Sequence, residues 1–84
     1  MAPFRVTTRI RIINALVPQV DGIVESLPEA SFDPTSSEIS YSETVEAASE
    51  ADASEVIRSK VREVVGAGGL VESDYALEVA AVRT

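Results

Sequence analysis

The sequence predicts an α+β fold, and two kinds of periodicity carry that expectation. Residues 4–13, 38–47 and 75–83 alternate their side chains with the two-residue period of a half-buried strand. Residues 14–27 and 50–65 instead repeat apolar residues at the three- and four-residue spacing of a helix face. Turn chemistry at "DPTSS" and "GAGG" punctuates these stretches.

The first strand is the clearest. In "FRVTTRIRII", Phe4, Val6, Thr8, Ile10 and Ile12 share one side and Arg5, Thr7, Arg9 and Arg11 the other. β-Branched residues dominate it, as a pleated, half-buried surface favours. The period then changes. Leu16, Val20, Ile23, Val24 and Leu27 form one helical stripe over 14–27. Pro18 fits only a first turn, and Pro28 is expected to stop the helix near Leu27.

Residues 29–47 read as a hairpin turning at Asp33 and Pro34, with a short first arm around Ala30–Phe32. Its second arm places Ile39, Tyr41, Val45 and Ala47 on one face and Glu38, Ser40, Ser42, Thr44 and Glu46 on the other. Glu43 interrupts the apolar side, which suggests an open end of the core. Over 50–65, Ala53, Val56, Ile57, Val61, Val64 and Val65 make a second helical stripe, which the glycines of 66–69 end. A last strand, "YALEVAAVR", follows at 75–83.

The order β-α-β-β-α-β is that of the ferredoxin-like sandwich, in which two helices cover one face of a four-stranded antiparallel sheet. Strands one and three are then central, and the last strand lies on an edge beside the first. Residues 1–84 are expected to form a single compact domain, with no linker or internal repeat. A chain this short buries only about two-thirds of its unfolded surface. Association with other chains is a common remedy for so small a core.

Composition removes most chemistry. There is no Cys and no His, so disulfides, thiolate metal sites and the commonest general base are absent. Ser residues are scattered without a partner base, and Lys60, the only lysine, looks solvated within a helix rich in Arg. "GAGG" follows a helix, whereas a phosphate loop precedes one and ends in Lys-Ser or Lys-Thr. We therefore expect no catalytic residues, no cofactor and no enzyme activity. The net charge of −7 disfavours nucleic acid and anionic membranes. No apolar run approaches the length of a membrane span, and "MAPFRVTTRIRI" has no signal-peptide core, so a cytoplasmic or virion location is expected.

Three features invite a functional reading. The open face of the sheet should carry Arg5, Arg9 and Arg11 beside Glu38 and Glu46, with the charges offsetting each other across strands. The open side of the last strand, Ala76, Glu78, Ala80 and Val82, is unusually apolar for an exposed edge and is the expected partner interface. Shielding by Arg83 and the loop "GLVES" is the local alternative. Finally, "EAASEADASEV" gathers acids without the spacing or glycine of a calcium loop. It reads instead as a helix start, with Ser49–Asp52 or Asp52–Glu55 as the cap and Glu43 and Glu50 left over.

These features suggest a non-catalytic structural protein that forms a homo-oligomer or docks on larger proteins, for which a tailed-phage-like viral particle is one setting. A dimeric regulatory or ligand-binding module is the alternative. An RNA-binding domain using the Arg stripe is a third reading, weakened by the absence of outward aromatic residues for base stacking.

Overall fold

The computed structural model describes residues 1–27 and 29–84. Its elements follow in the order β1 (Ala2–Ile12), α1 (Val17–Ser26), β2 (Ser31–Asp33), β3 (Glu38–Ala47), α2 (Glu50–Ala67), a 3-10 turn (Glu72–Asp74) and β4 (Tyr75–Arg83). The four strands form one open sheet in the order β2-β3-β1-β4, and every neighbouring pair is antiparallel. The central pair is β1 and β3.

Alternation along β1 is strict. Phe4, Val6, Thr8 and Ile10 are buried, and the residues between them are exposed. Their burial comes from α1 and α2, which supply Val20, Ile23 and Leu27 and then Ala53, Ile57, Val61 and Val65 to a single core beside Ile39 and Tyr41 of β3. Both helices thus cover one face of the sheet and leave the other bare. Each fully buried aliphatic side chain contributes roughly 1.5–3 kcal/mol.

The helical stripes are narrower than the spacing predicts. Leu16 is 70% exposed because it is the N-cap of α1 and lies outside its first turn. Val56 is 53% exposed, since α2 meets the sheet with the Ala53–Ile57–Val61 side of its stripe. Pro18 lies in the first turn of α1. The expected stop at Pro28 lies outside the described residues.

Two local devices join the helices. Gln19 Oε1 accepts a hydrogen bond from the Leu16 N–H at 2.8 Å, and Gln19 Nε2 donates to the Gly68 carbonyl at 3.2 Å. One side chain thereby caps the start of α1 and ties it to the end of α2. Gly69 has φ of +91°, the left-handed conformation that lets the chain turn off α2 at little cost. Leu70 then drops into the core.

Candidate functional site

The bare sheet face shows how the predicted surface is arranged. In the β1–β3 register Arg11 stands opposite Glu38, Arg9 opposite Ser40, Arg5 opposite Thr44 and Pro3 opposite Glu46. In the β1–β4 register Arg11 faces Ala76, Arg9 faces Glu78, Thr7 faces Ala80 and Arg5 faces Val82. Arg5, Arg9, Arg11, Glu38 and Glu46 therefore share this face, but only Arg9 and Arg11 have an acid directly across. No arginine closes an ion pair among the described residues, so the expected offsetting of charge across the sheet is looser than the sequence suggests. Glu46 lies beside a proline, and Arg5 lies between a threonine and a valine.

At one side of this face runs β4, a nine-residue edge strand paired only with β1. The Thr84 N–H donates to the Pro3 carbonyl, and the Ile13 N–H donates to the Asp74 carbonyl. These bonds set the phase of the ladder. Antiparallel alternation then directs the backbone of Ala76, Glu78, Ala80 and Val82 toward β1 and that of Tyr75, Leu77, Val79, Ala81 and Arg83 away from the sheet. The outward N–H and C=O groups have no strand beside them. Side chains do not guard this edge either. Along β4 there is no proline and no lysine, and Glu78 is its only charge before Arg83. Ala76, Glu78, Ala80 and Val82 are all exposed on the bare face, Val82 at 65%. In the loop before β4, Leu70 turns inward and Val71 stays 63% exposed, while Glu72 shares a hollow with Tyr75 and Leu77 at the start of the strand.

A separate polar cluster lies on the covered face. Glu43 of β3 points toward α2, where Lys60 Nζ meets its carboxylate at 2.6 Å. The Tyr41 hydroxyl donates to the same carboxylate oxygen, and Lys60 Nζ also reaches the Tyr41 hydroxyl at 3.3 Å. Lys60 is therefore not the free, solvated lysine that its neighbours imply. The Lys60 bond, with help from the Tyr41 bond, holds the Glu43 carboxyl below the usual carboxylate range. Glu43 in turn raises the Lys60 ammonium above its ordinary value. Burial, followed by the Glu43 bond, raises the Tyr41 hydroxyl. Such shifts keep each group in its resting protonation state. The cluster ties α2 to β3. Spacing alone could not reveal it, because its members come from a strand and a helix seventeen residues apart.

The acidic stretch resolves into a joint. Ser49 is the N-cap of α2, and its side chain accepts the Asp52 N–H at 3.2 Å. Of the two caps readable in the sequence, Ser49–Asp52 is the one that forms. Glu50 and Asp52 lie in the first turn, where the helix dipole favours acids. Among the described residues no three acids converge as a metal site would require. Glu50 is exposed at the first helical position.

Compared with known proteins, the chain matches no family model, no curated protein and no solved structure. Among the described residues no helix is long and apolar enough to cross a membrane.

Proposed function

We propose that this chain is a non-catalytic assembly module built on the ferredoxin-like sandwich, and that it joins other protein chains through the β4 edge and the adjoining bare face. The element order and the strand order β2-β3-β1-β4 support that fold. The observation that carries the functional reading is the edge itself. Five of its nine residues, Tyr75, Leu77, Val79, Ala81 and Arg83, turn their backbone donors and acceptors outward, and the strand carries no proline or lysine. Strand addition to such an edge takes its affinity from main-chain hydrogen bonds and its specificity from alternate side chains. A multi-subunit particle such as a virion is the proposed setting, given the small size and the lack of reactive groups.

The reading as an RNA-binding domain loses support from the geometry. Phe4 and Tyr41, the aromatic residues of β1 and β3, are 4% and 2% exposed and face the helices. The bare face thus lacks the stacking platform that single-stranded RNA needs.

Replacing Ala81 with proline tests the proposal. The Ala81 N–H points away from β1, so proline removes an outward donor and leaves the β1–β4 ladder intact. In extracts of its own cells, the tagged chain should elute within a larger complex, and Ala81→Pro should elute at the mass of the free chain. A wild-type chain that elutes free would overturn the proposal.

A further inference from the structure

We infer that the β4 edge pairs with the β4 edge of a second copy of this chain, antiparallel about a two-fold axis at Val79, so that two four-stranded sheets become one of eight strands. The inference rests on the assembly reading above and names its partner. Outward backbone groups recur at every second residue from Tyr75 to Arg83, with Val79 in the middle. Centring the axis there uses the whole strand. Val79 meets Val79 of the second copy, Leu77 meets Ala81, and Tyr75 meets Arg83.

Charge selects this arrangement over its alternatives. Glu72 and Asp74 stand immediately before β4, and Arg83 is its last residue. Antiparallel pairing brings the basic end of one strand to the acidic end of the other, whereas parallel pairing would stack acid on acid. Shifting the axis to Glu78 would set two carboxylates directly opposite, which is destabilising. With the axis at Val79, Glu78 meets Ala80 of the second copy and keeps Arg9 on its other side. On the bare face, Ala76 covers the exposed Val82 of the second copy.

Helix α2 repeats the pattern. Arg58 and Arg62 share a shallow hollow with Glu72, Tyr75 and Leu77 of their own chain, which places the basic second half of α2 over the start of β4. Its first half is acidic, with Glu50, Asp52 and Glu55. The same two-fold axis sets the basic half of each helix toward the acidic half of the other. A surface complementary to itself about one axis is what a two-fold dimer requires.

The chain has no cysteine, so introduced thiols report without interference. Purified Ala76→Cys and Val82→Cys proteins are mixed and mildly oxidised, and the wild type is sedimented over a range of concentrations. Residues 76 and 82 would form a non-hydrogen-bonded pair with Cα atoms about 4.5 Å apart, within disulfide reach. The expected result is a disulfide between the two variants. Ala76→Cys alone should give none, because its thiols would lie about 20 Å apart along the seam. The wild type should sediment at twice its monomer mass, and Ala81→Pro at the monomer mass with an unchanged circular dichroism spectrum. A wild type that stays monomeric at every concentration overturns self-pairing. So does a dimer that persists in Ala81→Pro or that cross-links Ala76→Cys to itself. If the pure chain is monomeric yet Ala81→Pro releases it from a complex in its own cells, the edge takes a different protein and only the assembly reading stands. If the chain is monomeric in both settings, both readings fall.

Discussion

Lys60 Nζ and Glu43 Oε1 meet at 2.6 Å, pinning the middle of α2 to the third strand of the sheet. The Tyr41 hydroxyl donates to the same carboxylate oxygen, so an acid on the covered face is paired and hydrogen-bonded. Lys60 and Glu43 are 41% and 30% exposed at their side chains, which limits the pair to the modest energy of a solvent-screened salt bridge. Lys60→Met should lower stability by about 1 kcal/mol in urea unfolding. Adding Glu43→Gln to it should cost less than the sum of the single changes, because the second change removes an already orphaned charge.

The same pair gives the protein a pH window. The Glu43 carboxyl lies low in the folded state, so its contribution is full above the ordinary carboxylate range and is lost as pH falls below about 4. The Lys60 ammonium lies high, so its contribution is full below the ordinary lysine value and is lost as pH rises past about 10. Tyr41 acts in the same direction at the alkaline end, because its neutral form is favoured by folding. Melting temperature should plateau between these limits and fall at both ends. In Lys60→Met the loss contributed by this cluster at the alkaline end should shrink.

Thr8 is wholly buried between Tyr41 of β3 and Val79 of β4, and among the described residues its hydroxyl has no hydrogen-bond partner. A buried hydroxyl without a partner costs about 1–3 kcal/mol of lost hydration. Thr8→Val keeps the branched shape and removes that cost. It should raise stability by about 1 kcal/mol, read as a higher urea midpoint with an unchanged slope.

Ser49→Ala removes the side-chain acceptor that holds the Asp52 N–H at the start of α2. It should cost about 1 kcal/mol, as the loss of an N-cap does elsewhere. Glu55→Gln should cost much less, since Glu55 takes no part in that cap. Equal losses for the two variants would move the cap from Ser49.

Alternation and spacing made the α+β class legible, with its open antiparallel sheet and two helices, because β1 and β3 are each buried on one face only. The exposed side of β4 also follows from that pattern. Leu16 and Val56 were misplaced because a helical stripe shows which residues lie on one side, not where the helix starts or which flank meets the sheet. The partners of the Arg stripe depend on register, and no residue in the turns announces it. Glu43 stood out as an acid on an apolar face, and its partner could be found only once the azimuth of α2 was known. Gln19 gave no signal at all, since the cap it completes begins at a leucine.

Amide hydrogen exchange in the pure chain tests the pairing of the β4 edge most directly. The amides of Glu78, Ala80 and Val82 point toward β1 and should be protected at every concentration, while those of Leu77, Val79 and Ala81 face outward. If a second copy completes the sheet, exchange at Leu77, Val79 and Ala81 should slow as protein concentration rises. If those three amides exchange at one fast rate from dilute to concentrated solution while Ala80 and Val82 stay protected, the edge is free and the pairing is wrong.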